Sequence, residues 1–300
     1  MTKKEFDDLV ADNRIYFGKK GDAVPSIKVF LSEEKDTTPM SILDGFGTAK
    51  TAGNELRELF DGKKLFDYPK PVELIKNLIE ISTDKDSLIM DFFAGSATTA
   101  QAVLQQNLED EGIRNFILVQ LPEKLDEESE AYKEGYRTIA DIATERIRRA
   151  IKKFRKDYAN ELKEHEADLG FKVFNLERSN YRIWENYNGQ DVKELTKQLD
   201  LFKSPLINNY KETNVIYECA IKEGLNLNSN IDPMSDIKGN KIYRVKDNVQ
   251  SFYICLDNDI KKESLDKLDL KKDDLFICLD SALNDSKKTN ISLQCKLKTI

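Results

Sequence analysis

One acid, one glycine and three hydroxyl side chains cluster between positions 91 and 99. They are Asp91, Gly95, Ser96, Thr98 and Thr99, in the stretch IMDFFAGSATTAQAV that spans 89 to 103. An apolar run precedes them and an Ala-rich helical pattern follows. A strand that ends in such a turn and feeds a helix marks the usual ligand position of an open parallel sheet. Gly95 permits a tight turn and close backbone approach. The helix start beyond it offers N–H groups without intrahelical partners. The acid at 91 decides between ligand classes. A phosphate cradle calls for a lysine and several glycines, and a dinucleotide loop for three glycines in GxGxxG. This loop has a single glycine and an acid before it, which better suits a ligand with a cationic amino end. Local spacing is equally satisfied by a capped turn that holds nothing.

The rest of the composition narrows the chemistry. The chain has 300 residues, enough for about two domains. Its net charge of −7 argues against binding nucleic acid by bulk charge alone, although a local basic patch remains compatible. Cys219, Cys255, Cys278 and Cys295 show no CxxC spacing, which disfavours zinc and a disulfide framework and makes buried, reduced thiols of a cytosolic protein the better reading. The N-terminal residues lack the apolar core of a signal peptide, and no apolar run reaches the ~18 residues of a membrane span. The single histidine, His165, sits in the charged run KEHEAD and is expected to be exposed. Histidine-dependent catalysis is thereby disfavoured.

Elements that could position the loop follow from periodicity. A short helix is predicted over 3–11, then a strand, turn and strand in IYFGKKGDAVPSIKVFL, then a short helix at 53–61. A helix opens at Pro71, with Leu74, Leu78 and Ile81 on its apolar face beside Ile75 and Ile79. SLIMDFF reads as a buried strand, 97–107 as a helix and NFILVQL as a second buried strand. Continuous apolar runs alternating with helices predict a parallel sheet covered on both faces. A long helix over about 134–158 carries TIADIATERIRRAIKKF, and LGFKVFNL reads as a third strand. Beyond it, helices are expected at 190–202 and 212–225, and strands at KIYRVK, SFYICL, LFICLD and ISLQCKLK. The pattern divides the chain into an irregular segment (1–62), a central α/β part (63–177) and a smaller α/β domain (178–300) that carries no cluster suited to chemistry. In RIRRAIKKFRK (146–156), Ile147, Ile151 and Phe154 form a packed stripe and the bases a solvated face, or alternatively a phosphate-contacting one. Tyr181 and Trp184 read as core aromatics rather than base-stacking platforms.

The ordered set of motifs carries a resemblance. DFFAGSATT closely resembles the S-adenosylmethionine loop, usually DFFAGSGTT, of β-class amino-methyltransferases acting on DNA. FDYPKP lies upstream where that class places its KP motif, and NLEDEGIRNFILVQLPE, TIADIATERIRRA, LGFKVFNLERSNYRIWE and the terminal LDSALNDSKKTNISLQCKLKTI follow in order. Together they resemble the modification subunit of type III restriction-modification systems. The resemblance implies a Rossmann-like methyltransferase sheet, of which this chain holds the cofactor half, with a C-terminal domain for dimerisation or subunit contact. It implies S-adenosyl-L-methionine as cofactor, DNA as substrate and a restriction subunit as a possible partner. It assigns cofactor binding to Lys70, Pro71, Asp91, Phe92, Phe93, Ala94, Gly95, Ser96, Thr98, Thr99 and Gln120, with Glu123 as a weaker alternative to Gln120 for the ribose hydroxyls. Ala97 replaces the family's usual glycine. Its methyl is tolerated if the backbone is already helical, and crowds the site if the backbone needs a positive φ.

One family element is missing. The D-P-P-Y type tetrapeptide holds the N6 amino group of a flipped adenine and stacks on its ring. The seven prolines, Pro25, Pro39, Pro69, Pro71, Pro122, Pro205 and Pro233, include no adjacent pair, so the tetrapeptide is absent from these residues. No catalytic residue is therefore assigned. The expected reading is a DNA adenine-N6 methyltransferase of the type III kind, or a fragment of one, inactive alone. A homodimer partner or a second polypeptide would supply the missing half. The alternative is a non-catalytic interaction or dimerisation module that retains a cofactor-like loop. Without the strand that bears the tetrapeptide, LIMDFF becomes an apolar sheet edge, unless the N-terminal residues cover it.

Overall fold

A computed structural model describes residues 1–30, 39–160, 162, 167–183, 191–201 and 204–300. His165 and Trp184 lie outside the described residues. The chain divides into two compact units, Met1–Phe171 and Lys172–Ile300. Among the described residues, no helix is long and apolar enough to cross a membrane.

In the first unit, α1 (Lys3–Ala11) is followed by β1 (Ile15–Tyr16) and β2 (Ser26–Ile27), which pair antiparallel with each other. Then come α2 (Ala49–Leu59), α3 (Val72–Ser82), β3 (Leu88–Asp91), α4 (Thr98–Asp110), β4 (Asn115–Leu118), α5 (Glu130–Lys133) and α6 (Ile139–Asp157). Caps set the boundaries. α2 starts four residues before the expected position because Thr48 and Thr51 exchange side-chain and backbone hydrogen bonds in a capping box. Thr138 and Asp141 do the same for α6, which therefore starts at 139 rather than 134. Pro71 occupies the N-cap of α3, one position ahead of the first helical turn.

β3 and β4 pair in parallel, with Leu88 beside Asn115 and Asp91 beside Leu118. α4 connects them and is the centre of the unit. Its Ala100 and Leu104 pack on Ala143, Ile147, Ala150 and Phe154 of α6, and its Ala102 and Val103 on Val72 and Ile79 of α3. Small residues on both sides let two helices approach, which is why α4 is Ala-rich. Two ionic clusters close the α3–α4 seam. Lys76 Nζ meets Glu109 at 2.6 Å, and buried Arg114 meets Asp110 at 2.9 Å and Thr83 Oγ1 at 3.1 Å.

Three expectations are corrected. β3 and β4 are not covered on both faces. Ile89 and Phe116 face the helices, whereas Leu88 (62% exposed), Met90 (58%), Ile117 and Val119 face solvent. Apolar content signals two covering layers only when both are supplied, and the described residues supply one. Second, β1 and β2 form their own sheet, so the described N-terminal residues add no strand to the free edge of β3. Third, LGFKVFNL is not a strand. Leu169 is buried in the α4–α6 core and Phe171 packs against it, but Val173 and Phe174 are exposed and no strand among the described residues pairs with them.

The second unit contains α7 (Val192–Leu201), α8 (Glu212–Lys222), β5 (Asn230–Pro233), β6 (Ile242–Lys246), β7 (Ser251–Cys255), α9 (Lys262–Leu268), β8 (Leu275–Cys278), α10 (Asp285–Gln294) and β9 (Lys296–Thr299). The strands form one sheet in the order β5-β6-β7-β8-β9. Pairing is antiparallel from β5 to β7 and parallel from β7 to β9. The expected strand ISLQCKLK is corrected: its first half ends α10, which Asn284 caps through Lys287 N–H, and only the second half is strand. Apolar residues at alternate positions there coincide with one turn of helix. The four cysteines are buried in this unit, and burial pushes the Cys255 and Cys278 thiols up to about 12. Tyr181 packs against the same core, with its hydroxyl 3.3 Å from Cys219 Sγ and the Lys222 ammonium 3.3 Å from its ring centroid. It is a core aromatic, as expected.

Candidate cofactor site

The loop between β3 and α4 is held shut by its own polar groups. Asp91 Oδ1 accepts from Phe93 N–H at 3.1 Å, and Oδ2 accepts the Thr99 hydroxyl at 2.6 Å. Ala94 N–H donates to Val119 O at 3.2 Å, and Gly95 N–H donates to Gln120 Oε1 at 2.7 Å. The end of β4 thereby braces the turn through both backbone and side chain. Gly95 has φ +53 and lies against the ring of Phe66, so a side chain there would be strained.

Ala97 also adopts the left-handed conformation, at φ 61 and ψ 40. The methyl expected to crowd the site instead points into the core. Ala97 is fully buried in the cluster that joins α4 to α6. The substitution costs backbone strain, roughly 1–2 kcal/mol for a non-glycine residue in this region.

The KP segment reaches the loop through its backbone. Lys70 O accepts from Thr98 Oγ1 at 3.4 Å, while buried Pro71 sets the entry to α3 and lies beside Gly47. Glu55 of α2 accepts from Val72 N–H at 3.1 Å and fixes the same corner. Lys70, Asp91, Gly95, Ser96, Thr98, Thr99 and Gln120 therefore converge on one turn. Phe92 (61% exposed) and Phe93 (82%) stand outward with ring centroids 5.4 Å apart. Ala94 is buried beneath them. Glu123 is exposed, and its main chain is tied to Leu121 and Ile139 rather than to the loop.

The charged stripe of α6 held two residues that sequence reasoning misread. Ile147, Ile151 and Phe154 are buried as expected, and Arg148, Lys152, Arg155 and Lys156 are exposed. Arg146, expected on the solvated face, is 0% exposed. Its Nη1 donates to Ser96 Oγ at 2.9 Å and Thr98 Oγ1 at 2.7 Å, and its Nε donates to Gln101 Oε1 at 2.9 Å. Burial lowers its pKa to about 10, partly offset by Glu55, so the guanidinium is charged at neutral pH. The signal was present in the spacing: position 146 lies four residues from both Ile142 and Ala150, inside the buried stripe. Arg149 was likewise expected to be solvated. It donates to Leu59 O at 2.8 Å, pairs with Asp61 at 2.7 Å and covers the ring of Phe60.

The arrangement offers a carboxylate with spare lone pairs at the carboxyl end of a parallel strand, beside the first N–H groups of α4 at Thr98, Thr99 and Ala100. A ligand carrying both a cationic amino group and a carboxylate fits that pairing. The loop hydroxyls, by contrast, are engaged within the protein.

Residues 19–131 match a family model described as DNA methylase. That segment contains the KP motif, the loop and Gln120. The chain is 37% identical over 187 residues to the Mod subunit of the type III restriction-modification enzyme StyLTI of Salmonella typhimurium, a stretch covering 62% of this chain and 28% of that protein. It is 46% identical over 126 residues to the EcoPI Mod subunit of Escherichia phage P1, covering 42% and 19%. It is 35% identical over 192 residues to the EcoP15I Mod subunit of Escherichia coli, covering 63% and 26%. The chain thus spans between 19% and 28% of the length of these curated relatives. The resemblance to type III Mod subunits read from the motifs is borne out.

Proposed function

We propose that this chain is the cofactor-binding portion of a DNA adenine-N6 methyltransferase of the type III modification-subunit kind. The observation that carries the reading is the β3–α4 turn, where an acid, a left-handed glycine and a helix N-terminus meet at the end of a parallel strand. The matches to DNA methylases and Mod subunits support it. On this reading the β3–α4–β4 unit is the cofactor half of a Rossmann-like methyltransferase sheet.

The residues present suit S-adenosyl-L-methionine. Asp91 would attract the cationic amino end, and the N–H groups at the start of α4 would take the carboxylate. Gly95 would let the chain approach closely. Lys70–Pro71, Phe92 and Phe93 would border the cofactor, and Ala94, Ser96, Thr98, Thr99 and Gln120 would set the shape of the turn. When bound, the cofactor supplies an electrophilic methyl group. These 300 residues contain no adjacent prolines and so no DPPY tetrapeptide to hold the acceptor amine. The adenine-binding half would come from a second polypeptide or a second copy, docked on the open face and edge of β3. DNA would be the substrate, a restriction subunit a further partner and the cytoplasm the location. The second unit would serve as an interface.

Calorimetric titration tests the cofactor assignment. S-adenosyl-L-methionine is expected to bind in preference to NAD or ATP, weakly for the chain alone, and binding is expected to fall in Asp91→Ala. Equal or tighter binding of NAD would overturn the reading. A radiolabelled methyl-transfer assay on mixed-sequence DNA is expected to give background counts for the chain alone.

A further inference from the structure

We propose that Arg146 is a positioning residue for the cofactor loop, acting from α6 through the loop hydroxyls. The proposal rests on the cofactor reading of the β3–α4 turn and names what holds that turn in shape. A buried guanidinium is costly to remove from water unless it is well hydrogen-bonded. Here three of its contacts go to consecutive parts of one feature: Ser96 Oγ in the turn, Thr98 Oγ1 at the first residue of α4, and Gln101 Oε1 one turn further on. A weaker fourth, at 3.4 Å, goes to Ser96 O. Thr98 passes the tie onward by donating to Lys70 O. One side chain therefore links α6, the turn, the start of α4 and the KP segment.

The turn needs such a hold. Gly95 and Ala97, two residues apart, both have positive φ, and Ala97 is not a glycine. A strained backbone persists only when its surroundings over-determine it. Lysine would not substitute, because a single ammonium cannot supply the two separate nitrogens, Nη1 and Nε, that reach the hydroxyls and the Gln101 amide. One Arg146 nitrogen, Nη2, is buried without a partner among the described residues. The partnered nitrogens, Nη1 and Nε, make their side-chain contacts only with the turn and the first turn of α4.

The test is amide hydrogen exchange on the full chain without cofactor, so it does not depend on whether the cofactor reading holds. The amides of Ala94, Gly95 and Ala97 report the turn, since each donates a hydrogen bond that the turn's shape sets: to Val119 O, Gln120 Oε1 and Ala94 O respectively. The amides of Leu104 and Ala150 report the α4–α6 core. In Arg146→Met and Arg146→Lys, the turn amides are expected to exchange about 10- to 100-fold faster, the loss of one to two charge-assisted hydrogen bonds, while the core amides stay within about threefold of wild type. Unchanged turn amides, or equal acceleration in turn and core, would overturn the proposal and leave a stability role only. Should the Arg146 variants fail to fold, Ser96→Ala with Thr98→Val removes the acceptors from the loop side. Local acceleration there supports the proposal, and its absence overturns it. Titration with S-adenosyl-L-methionine separates the two readings. Wild type binding NAD as tightly as S-adenosyl-L-methionine while Arg146→Met loosens the turn would sink the cofactor assignment and spare the positioning role.

Discussion

Thr99 donates its hydroxyl hydrogen to Asp91 Oδ2 at 2.6 Å, which ties the last residue of β3 to the first turn of α4 across the loop. The same carboxylate also receives Phe93 N–H, so Asp91 has a structural role before any ligand is considered. Asp91→Ala is expected to destabilise the first unit by roughly 1–3 kcal/mol, because a backbone donor and a buried hydroxyl both lose their acceptor. Thr99→Val should cost about 1 kcal/mol, since the half-buried carboxylate can turn to water. Urea unfolding read by far-UV circular dichroism measures both. An Asp91→Ala variant as stable as wild type would show that the turn is held without it.

Gln120 braces the turn from the other strand. Gln120→Ala leaves Gly95 N–H without its acceptor at 2.7 Å and is expected to cost about 1–2 kcal/mol. Gln120→Glu keeps an acceptor at that place and should lie much closer to wild type. Equal losses in the two variants would mean that the amide acts through its Nε2 contact with Leu121 O instead.

Ala97 sets opposing effects against one another. Ala97→Gly relieves about 1 kcal/mol of left-handed strain, loses about 0.8 kcal/mol of buried methyl and raises the entropy of the unfolded chain by about 0.4–1 kcal/mol. The net change is expected to fall within about 1 kcal/mol of zero. Ala97→Val adds a β-branched side chain at positive φ in a fully buried site, and should cost more than about 3 kcal/mol. Thermal melts of the two variants give the comparison.

These residues also show what the sequence could and could not disclose. The turn itself was legible because an acid, a glycine and hydroxyls at this spacing mark a tight strand-to-helix turn, with or without a ligand. The paired strands and the helices around them were legible from period and caps. Arg146 was not, because charge was allowed to outweigh phase: seven bases in eleven residues read as a solvated face, although 146 falls on the buried stripe. The open face of β3 was missed for a different reason. An apolar run records how many layers a strand is suited to meet, and not which of them the same stretch of chain provides. LGFKVFNL has strand composition, but strand formation also needs a neighbour to complete the ladder. The hydroxyls of Ser96 and Thr98 were read as ligand contacts because composition cannot show which way a side chain is already committed.

Acid should loosen the α3–α4 seam first. Burial alone would raise the pKa of Glu109, but Lys76, Gln105 and Tyr158 outweigh it and hold the carboxyl below its ordinary value. For Asp110, burial is likewise outweighed by Gln106, Arg114 and Gly112 N–H, and for Asp141 by Arg137 and Thr138 N–H. A carboxylate whose folded pKa is depressed contributes stability above its unfolded pKa and loses that contribution as pH falls through the folded one. Stability should therefore be level near neutrality and decline below the ordinary values of 4.5 for Glu109 and 3.8 for the two aspartates. Urea midpoints taken between pH 6 and 3 test this. Glu109→Gln should flatten the decline, and an unchanged slope would assign the acid sensitivity elsewhere.

The open face of β3 leads to the last prediction. Leu88 and Met90 project from the strand to solvent, with Phe92 and Phe93 just beyond its end, Ile117 alongside on β4 and Val119 just after β4. Half of the backbone groups of β3 face away from β4 and meet no strand among the described residues. An apolar face beside a free edge is a template for a further strand. Burying two of these side chains is worth roughly 3–6 kcal/mol before the costs of association. A polypeptide that carries the DPPY half should thus bind measurably but not extremely tightly. Co-expression with the N-terminal half of a related Mod subunit, followed by co-purification and methyl-transfer assay, is expected to give a complex with restored activity. Met90→Lys with Phe93→Asp should abolish the complex while leaving the buried α4–α6 core intact, since neither side chain reaches it. If the two halves stay apart and the chain is a monomer with the β3 amides fully protected from exchange, the edge is already closed. The interaction-module reading would then replace the split-site one.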